Sequence, residues 1–461
     1  MHFKAHHLNP TILREYDIRG IVGDELSLRD AYAIGRAFGT QLVNKGLNTV
    51  CVGYDGRLSS KEFESKVVEG LNDSGTDVCR VGLGPTPMLY FAVNSLGADG
   101  GIMVSGSHNP PEYNGFKFML GSKPYFGKDI QKLGQICAAG KFATGTGKNY
   151  KTELLEQYIS RILADYRSGR NLRVAWDAGN GSAGEAMVHL TAILPGEHIL
   201  INENIDGKFP SHHPDPSVEK NLIQLKEVVI NHKCDLGIAF DGDGDRIGVI
   251  DGDGNTLWGD QLLVLWAEDV LSENPGATII ADVKASQMLF DQIEIMGGIP
   301  LMWKTGHSLI KAKMEETGAL LSGEMSGHIF FADQYYGYDD ALYAAVRLLS
   351  SLSAREETLS QIRKRLPNLV NTPELRLDCP ENRKFAVVNE VRDRLERIGA
   401  NFYDIDGVRV LTDDGWWLLR ASNTQNALVA RCESSNEAGL KKLKKALATQ
   451  LRASGIHSSE I

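Results

Sequence analysis

The sequence predicts an α/β protein of several domains, and three observations support that fold class. Its 461 residues are enough for more than one domain. Strand-like apolar runs alternate with helical stretches along much of the chain, as in α/β layers. Loops rich in glycine and polar residues follow several of these runs, at residues 105–110, 241–246, 304–307 and 324–328. Open α/β sheets bind ligands at the ends of their strands, so these loops are expected to face a common cleft.

The first predicted domain, residues 1–150, alternates between the two kinds of element. Apolar periodicity and turn residues predict helices at 30–42, 60–71, 88–94 and 129–139, strands at 48–53 and 77–82, and a strand that ends at the 105–110 loop. The stretch 140–148 is rich in glycine and lysine and is typical of a linker, so the first boundary is expected there.

Three further domains are predicted after this boundary. Residues 151–254 contain a helix at 153–164 and strands at 172–177, 236–240 and 247–250. Residues 255–368 contain a helix at 262–271 and a strand at 278–283. Residues 369–461 contain a strand at 374–379, a helix at 383–398, a hairpin at 408–420, a strand at 427–432 and a helix at 440–451.

Composition excludes several classes of protein. Hydrophobic residues make up 42% of the chain and charged residues 23%, which excludes wholesale disorder. The net charge of −10 argues against nucleic acid or an anionic membrane as a partner. Apolar runs stay below membrane-spanning length, and the N-terminus lacks the apolar core of a signal peptide. The six cysteines are scattered without a C-x-x-C pair, which fits a reducing compartment, so a cytoplasmic protein is expected.

A candidate nucleophile lies in the loop Ser105-Gly-Ser-His-Asn-Pro110. The apolar run before this loop is typical of a buried strand, so Ser107 is expected to be exposed at the end of a sheet. A serine hydroxyl is a poor nucleophile until a base or a cation activates it, and His108, Asn109 and Lys117 supply such groups. On this stretch alone, a polar turn without chemistry is the simpler explanation.

A candidate metal site follows the strand-like run 236–240. The loop Asp241-Gly-Asp-Gly-Asp-Arg246 places three carboxylates at alternate positions, and its glycines allow the oxygens to converge on one cation. An EF-hand is excluded because Arg246 and Gly252 stand where that loop requires glycine and glutamate. Three carboxylates leave coordination positions open for a substrate phosphate, which suits Mg²⁺. The alternative is an acidic surface turn, but the apolar runs on both sides favour a metal site.

Two later stretches suit a sugar and a phosphate group. Glu324, Ser326 and His328 can hydrogen-bond the vicinal hydroxyl groups of a sugar, although a capped turn explains them equally well. The stretch 420–424 and Arg431 can bind phosphate, because arginine matches phosphate oxygens in a bidentate fork. A polar hairpin end with solvated arginines remains the alternative for that set.

In their order along the chain, these loops resemble one family, the α-D-phosphohexomutases. The likeness extends along nearly the whole chain and rests on the loops at 105–110, 241–246, 323–328 and 420–424. Each loop alone is a modest signal, but four in sequence are highly specific. Within the family, the closest likeness is to the bacterial members that act on both mannose and glucose phosphates, and it rests on residues 16–20, 212–216 and 303–311.

The resemblance implies a fold and a reaction. Three α/β domains with mixed sheets would be followed by a smaller C-terminal α+β domain shaped like the TATA-binding protein, around the central cleft of a monomer. The enzyme would interconvert hexose 1-phosphates and hexose 6-phosphates. Ser107 would carry a phosphate that passes to the substrate, which gives a hexose 1,6-bisphosphate. This intermediate would turn over in the cleft and return its other phosphate to the serine.

The resemblance also implies roles for individual residues. The predicted Mg²⁺ ligands are Ser107, Asp241, Asp243 and Asp245. The other predicted catalytic residues, one of which would shuttle the hydroxyl proton, are Arg19, His108, Lys117 and Arg246. The predicted substrate-binding residues are Tyr16, Lys284, His307, Glu324, Ser326, His328, Arg420, Ser422, Asn423, Thr424 and Arg431.

Two positions depart from the pattern that the family commonly shows. Tyr54 stands where arginine is common, which puts any ion pair of that arginine in doubt. Ser105 replaces a common threonine and is a second candidate phosphate acceptor, although its place in the motif favours Ser107. Phosphoglucosamine mutase, a non-catalytic sugar-phosphate binding protein and a metal-dependent phosphatase remain alternative functions.

Overall fold

A computed structural model describes residues 4–423 and 425–457, which form four units, each built on its own sheet. The first unit consists of β1 (Ile18–Ile21), α1 (Leu28–Val43), β2 (Thr49–Tyr54), α2 (Ser60–Asp73), β3 (Asp77–Leu83), α3 (Thr86–Leu96), β4 (Gly100–Val104), β5 (Tyr113–Leu120), β6 (Lys123–Tyr125), α4 (Lys128–Ala139) and β7 (Asn149–Lys151). The strand order is β1-β5-β4-β2-β3-β7, with β6 paired to β5. Strand β2 runs parallel to β3 and β4, whereas β5 runs antiparallel to β4, so the sheet is mixed.

Helices α1 and α2 pack closely because each presents a glycine to the other. A side chain at Gly35 would meet the backbone of Val67, and a side chain at Gly70 would meet the backbone of Tyr32. Helix α1 begins at a capping box, in which the Ser27 N–H donates to the Asp30 carboxylate at 2.7 Å.

Strand β4 lies inside the sheet and is buried along its whole length. Its register places Val104 opposite Tyr54 of β2 and opposite Phe116 of β5. The chain therefore leaves β4 at Ser105, beside the end of β2 and next to Gly115 of β5, whose carbonyl accepts from the Ser105 N–H at 3.0 Å.

The second unit carries the acidic loop between two buried strands. It consists of α5 (Leu155–Leu163), β8 (Leu172–Asp177), α6 (Gly184–Thr191), β9 (Gly196–Ile201), α7 (Ile223–Asn231), β10 (Leu236–Phe240), β11 (Ile247–Asp251) and β12 (Thr256–Leu257). The strand order is β12-β11-β10-β8-β9. Strand β10 is parallel to β8 and antiparallel to β11, and both β10 and β11 are buried throughout. This burial agrees with the sequence interpretation of the flanking runs.

The third unit has the strand order β14-β13-β15-β16. It consists of α8 (Gly259–Glu273), β13 (Thr278–Asp282), α9 (Gln287–Ile295), β14 (Ile299–Trp303), α10 (His307–Thr317), β15 (Leu321–Gly323), β16 (Ile329–Phe331), α11 (Ala341–Ser353) and α12 (Leu359–Arg365). Strands β14 and β15 both run parallel to β13, so the loops 304–306 and 324–328 leave the same edge of the sheet.

The fourth unit is an antiparallel sheet with two long helices. It consists of β17 (Val370–Asn371), β18 (Leu375–Asp378), α13 (Glu381–Arg397), β19 (Phe402–Tyr403), β20 (Val408–Thr412), β21 (Gly415–Ala421), β22 (Ala427–Ser434) and α14 (Glu437–Ala453). The strand order is β17-β22-β21-β20-β19, with β18 paired to β22. The predicted hairpin is the antiparallel pair β20 and β21. Together, the four units confirm the predicted fold class.

The hydrophobic cores do not follow the division into four sheets. The largest cluster of buried residues runs through the first three units and joins, for example, Leu89, Trp176 and Leu263. The fourth unit has a separate core that includes Leu377, Val391 and Leu447. A small patch of Val283, Trp416 and Leu418 joins the fourth unit to the third. Within the described residues, helices with both the length and the apolar character needed to cross a bilayer are absent.

Candidate active site

A buried arginine fixes the backbone of the nucleophile loop by hydrogen bonds to its carbonyl groups. The Arg57 guanidinium donates at 2.5–3.0 Å to four carbonyl oxygens, those of Ser107, Asn109, Pro110 and Tyr113. Gly106 passes so close to this guanidinium that a side chain at Gly106 would collide with it. The Gly106 N–H donates to Asp55 Oδ2 at 3.0 Å. Arg57 and Asp55 therefore fix the backbone on both sides of Ser107.

Ser107 lies against the acidic loop of the second unit. Its backbone is left-handed, with a φ of 47°, a conformation that residues with side chains adopt mainly at turns and functional sites. Ser107 Oγ donates to Asp241 Oδ2 at 2.9 Å and lies 3.1 Å from His108 Nδ1. The expectation that Ser107 is exposed is wrong, since its exposed fraction is 2%. The acidic loop covers it, with Gly242 packed on the Ser107 carbonyl.

Ser105, the second candidate acceptor, is occupied by structural contacts. Its hydroxyl donates to Asp243 Oδ2 and accepts from the Ser107 N–H, both at 2.8 Å. The geometry therefore favours Ser107 over Ser105 as the reacting hydroxyl.

The three aspartates of the acidic loop converge on one point. Carboxylate oxygens of Asp241, Asp243 and Asp245 lie within 4.8 Å of one another, and all three side chains are fully buried. This burial excludes the surface-turn interpretation. Asp243 Oδ1 and Asp245 Oδ1 are buried oxygens without a hydrogen-bond partner among the described residues. Buried carboxylate oxygens need a partner, so this set fits a hard divalent cation such as Mg²⁺.

Residues of the first unit complete the acidic site. Lys117 Nζ donates to Asp243 Oδ2 at 2.7 Å and to Asp245 Oδ2 at 2.5 Å. The Thr86 hydroxyl, at the start of α3, donates to Asp243 Oδ2 at 2.5 Å. Side chains of the first unit thus hold the acidic loop of the second at the contact between the two units.

Burial and charge pairing act differently on these groups. Burial, with repulsion from Asp245 and Asp243, raises the pKa of Asp241 well above its ordinary value. Burial acts in the same direction on Asp243, but Lys117 outweighs it and lowers the pKa of that carboxyl. Burial acts to lower the pKa of Lys117, but Asp243 and Asp245 outweigh it and raise that pKa. A divalent cation would relieve the repulsion that acts on Asp241.

Two further cations surround the same loop. Arg19 donates from Nη1 to Asn109 Oδ1 at 2.5 Å, and its Nη2 pairs with the Asp17 carboxylate. Arg246 donates from Nε to His328 Nε2 at 2.9 Å. Burial acts to lower the pKa of Arg246, but Asp215 and Asp241 outweigh it and raise that pKa. Arg19, with an exposed fraction of 7%, is buried and is not a solvated surface residue.

The two predicted histidines of the third unit lie side by side. The rings of His307 and His328 stack with their centroids 5.4 Å apart. Both rings approach one buried carboxylate, since Asp339 Oδ2 lies 3.0 Å from His328 Nδ1 and 3.7 Å from His307 Nδ1. Lys311 Nζ donates to the other oxygen of Asp339 at 2.9 Å.

The predicted sugar-binding loop forms a compact polar group. Glu324 accepts from the Gly306 N–H and from the Ser326 hydroxyl, each at 3.1 Å. Glu324 has an exposed fraction of 3%, and the nearby Lys284 pairs with Glu374 of the fourth unit at 3.1 Å. The loop therefore lies where the third unit meets the fourth.

The predicted phosphate-binding residues lie at the same contact. Arg420 and Arg431 are both buried, which argues against solvated arginines at a hairpin end. Arg431 Nη1 donates to the Lys284 carbonyl and lies 3.3 Å from Asp260 Oδ2. Ser422 begins the turn between β21 and β22, and its Oγ accepts from the Gln425 N–H at 3.1 Å. Thr424 lies outside the described residues.

Tyr16 connects three units through its hydroxyl group. Tyr16 OH donates to the Thr305 carbonyl at 2.7 Å and accepts from Asn423 Nδ2 at 2.6 Å. Burial raises the pKa of Tyr16, so the hydroxyl keeps its proton for this hydrogen bond.

The structure also identifies residues that the sequence motifs did not indicate. Arg57 and Asp55 support the nucleophile loop, Asp339 contacts both histidines, and Asp406 contacts Arg420. Asp55-Gly-Arg57 follows β2, the parallel neighbour of β4, so its place at the end of that strand was an available signal. The contacts of Asp339 and Asp406 depend on how separate loops fold against one another, and the sequence carries no such signal for them.

Four family models match consecutive parts of the chain. They describe phosphoglucomutase/phosphomannomutase alpha/beta/alpha domain I over residues 10–144, domain II over residues 149–254, domain III over residues 258–370 and the C-terminal domain over residues 374–450. Together these matches cover most of the chain.

Individual relatives match over nearly their whole length. A phosphomannomutase/phosphoglucomutase of Pseudomonas putida is 45% identical over 444 residues, which are 96% of each chain. A phosphoglucomutase of Neisseria meningitidis is 44% identical over 437 residues, which are 94% of this chain and 95% of the relative. The crystal structure of a phosphoglucomutase/phosphomannomutase family protein from Burkholderia thailandensis has a TM-score of 0.92 at 42% identity, covering 97% of this chain and 98% of the other.

Matches of this extent, on a site of this chemistry, define the protein as a phosphohexomutase, an isomerase that interconverts hexose phosphates. Among such enzymes, the chain belongs to the phosphoglucomutase/phosphomannomutase family. The resemblance drawn from the four loops is thereby confirmed.

Proposed function

We propose that the enzyme interconverts the 1-phosphates and 6-phosphates of mannose and glucose through a phosphorylated Ser107. The phosphoryl group passes from Ser107 Oγ to the free hydroxyl of the substrate, so that one P–O bond breaks as another forms. The product is a hexose 1,6-bisphosphate, which turns over and returns its other phosphoryl group to Ser107. The observation that carries this proposal is the 2.9 Å contact from Ser107 Oγ to Asp241, inside a cluster of carboxylates and cations.

The cations around Ser107 support phosphoryl transfer by neutralising charge. Transfer of a phosphoryl group depends mainly on positioning and on electrostatic stabilisation. Three cations supply positive charge around the nucleophile: Arg19 from β1, Lys117 from β5 and Arg246 from the acidic loop. We propose that Asp241, Asp243 and Asp245 hold Mg²⁺ together with the Ser107 phosphate. Bound there, Mg²⁺ would neutralise the charge that develops on the transferring group.

His108 is close enough to Ser107 to accept its hydroxyl proton or return it. Its Nδ1 lies 3.1 Å from Ser107 Oγ, within reach of a direct proton transfer. Burial, together with Arg246, Arg19 and Lys117, lowers the pKa of His108 well below its ordinary value. The ring is therefore neutral near pH 7 and can accept the hydroxyl proton when Ser107 takes a phosphoryl group.

The sugar and the second phosphate would bind where the third and fourth units meet. We propose that Glu324 and Ser326 bind sugar hydroxyls, with Tyr16, Lys284, His307 and His328 around them. The phosphate that is not being transferred would bind Arg420, Ser422, Asn423, Thr424 and Arg431. One such site can serve either end of the bisphosphate, so the intermediate has no need to leave.

We propose domain boundaries near residues 150, 254 and 368, which the four sheets and the four family matches support. The enzyme would act as a monomer, as the resemblance to the phosphohexomutases implies. A cytoplasmic location is supported by the six cysteines, all of which are buried and unpaired.

Incubation with glucose 1,6-bisphosphate and Mg²⁺ is expected to leave phosphate on Ser107. Peptide mass mapping would locate it, with Ser107→Ala and Ser105→Ala measured in parallel. Ser105→Ala is expected to retain the phosphate, whereas Ser107→Ala is expected to lose it. Phosphate on Ser105 would contradict the assignment of the nucleophile, and a failure to phosphorylate any serine would favour the binding-protein alternative.

Mannose 1-phosphate and glucose 1-phosphate are expected to be turned over within about 10-fold of each other, and glucosamine 1-phosphate at least about 10-fold more slowly. The ratio of kcat/KM for the three sugars measures this, with Ser107→Ala as a control for contaminating enzymes. Fastest turnover of the glucosamine phosphate would instead identify a phosphoglucosamine mutase. Release of inorganic phosphate at the rate of turnover would identify a phosphatase.

A further inference from the structure

An acidic residue outside the known motifs joins the fourth unit to the third. Asp406 lies in the turn between β19 and β20, and its Oδ2 accepts two hydrogen bonds. One comes from Arg420 Nε at 2.9 Å, within the fourth unit. The other comes from the Thr305 N–H at 3.1 Å, on the loop that follows β14 in the third unit. A single carboxylate oxygen thus contacts both a proposed phosphate-binding arginine and the neighbouring unit.

The backbone around Asp406 is built for this contact. Gly407 has a φ of 81°, and a side chain there would meet the backbone of Leu419 and Arg420. The turn can therefore press against β21 only because this residue is glycine. Arg409, in the strand β20 that follows this turn, is buried. It donates to the Val283 carbonyl at 2.9 Å, across the contact between the third and fourth units.

The carboxylate controls which edge of the arginine faces the site. The contact uses Arg420 Nε, and the two Nη groups have no hydrogen-bond partner among the residues that the structure describes. These two groups form the fork that binds phosphate oxygens in a bidentate manner. Arg420 has an exposed fraction of 5%, and a buried guanidinium needs a carboxylate to compensate its charge.

The Thr305 loop also reaches the other side of the proposed phosphate site. Its carbonyl accepts from Tyr16 OH, which in turn accepts from Asn423 Nδ2. The Thr305 hydroxyl donates to Asp282 Oδ2 at 2.9 Å, which anchors the loop to β13. Contacts from one loop of the third unit therefore fix both Arg420, through Asp406, and Asn423, through Tyr16.

We infer that Asp406 is a positioning residue, which aims the Nη groups of Arg420 at the phosphate that is not being transferred and holds them there only when the fourth unit is docked on Thr305. The inference rests on the proposed role of Arg420 in phosphate binding. It assigns to Asp406 an effect on substrate affinity at both ends of the reaction, because the same site would bind either phosphate.

Asp406→Ala is expected to raise KM for glucose 1-phosphate and for glucose 6-phosphate by about 10-fold or more, with kcat changed by less than about 3-fold. Asp406→Asn is expected to show a smaller increase, because its amide oxygen can still accept both hydrogen bonds. Asp404→Ala is the matched control, since Asp404 is an exposed acid in the same turn, and its KM values are expected to be unchanged. A merely structural role for Asp406 would instead lower the active fraction, and thus kcat, at unchanged KM, and that result would overturn the inference.

Arg420→Ala separates this inference from the proposed function. Arg420→Ala is expected to raise both KM values, and adding Asp406→Ala to it is expected to change them by less than about 2-fold, because the carboxylate acts through the arginine. A raised KM in Arg420→Ala with normal KM values in Asp406→Ala would overturn the inference and leave the phosphate site intact. Unchanged KM values in Arg420→Ala would overturn the proposed phosphate site itself, and the inference with it.

Discussion

Ser107→Ala is expected to reduce mutase turnover by at least about 10⁴-fold, because it removes the only atom proposed to carry the phosphoryl group between the two ends of the sugar. Neighbouring side chains would still bind the substrate, so KM is expected to change little. The measurement is the conversion of glucose 1-phosphate to glucose 6-phosphate in the presence of the bisphosphate.

Ser105→Ala is the matched control for this loss. It removes a hydroxyl two residues away that donates to Asp243 and accepts from the Ser107 N–H. Loss of these hydrogen bonds loosens the loop, and a reduction of about 10-fold is expected, much smaller than for Ser107→Ala. Turnover in Ser107→Ala above about one hundredth of the natural rate would exclude a phosphoserine mechanism at this residue.

Removal of divalent cations by a chelator is expected to reduce turnover by at least about 10³-fold, because charge neutralisation at the transferring group contributes several kcal/mol. The fold is expected to survive this treatment. Lys117 already pairs with Asp243 and Asp245, so two of the three buried carboxylates keep a compensating charge without a metal ion. Turnover and the midpoint of thermal unfolding, measured on the same chelated sample, test both statements.

Asp241→Asn tests the proposed ligands directly. It is expected to raise the Mg²⁺ concentration needed for half-maximal turnover by at least about 10-fold, since it removes a charged ligand from the site. Asp253→Asn is the control, because Asp253 is an exposed acid of the same unit, in the loop at the other end of β11. Full activity after chelation, or an equal effect of the two substitutions, would contradict the assignment of the acidic loop to a metal ion.

The sequence predicted the fold class and the loops of the site because both depend on local patterns. Alternating runs identified the α/β layers, and the Asp241 loop was recognisable from the spacing of its carboxylates and the buried strands beside it. The parallel strands of the third unit explain why its two polar loops leave one edge of a sheet. The positions of these loops along the chain were therefore predictable without knowing how the four units pack.

What the sequence could not predict depends on how the units are placed. The burial of Ser107 follows from the second unit lying over the first, and the pairing of Lys117 with Asp243 follows from the same docking. Arg57 acts through backbone carbonyls, which every residue has, so its partners leave no trace in the side-chain pattern. Asp406 contacts Thr305 across 101 positions of sequence, and local periodicity says nothing about such a pair.

The separate core of the fourth unit bears on how this protein can be recombined with its relatives. Aromatic rings pack across the first three units: Tyr90 of the first contacts Tyr338 of the third, and Phe91 of the first contacts Tyr158 of the second. Exchanging any one of these units would therefore disturb a shared interior. Among the described residues, the fourth unit meets the third at the patch around Trp416, at the Phe290 ring under Arg409 and through a set of polar contacts. A chimera that takes its last domain from another member of the family therefore needs a match at that patch, at the Asp406 turn and at Asn423, which donates to the Tyr16 hydroxyl, and leaves the shared interior of the first three units as it is.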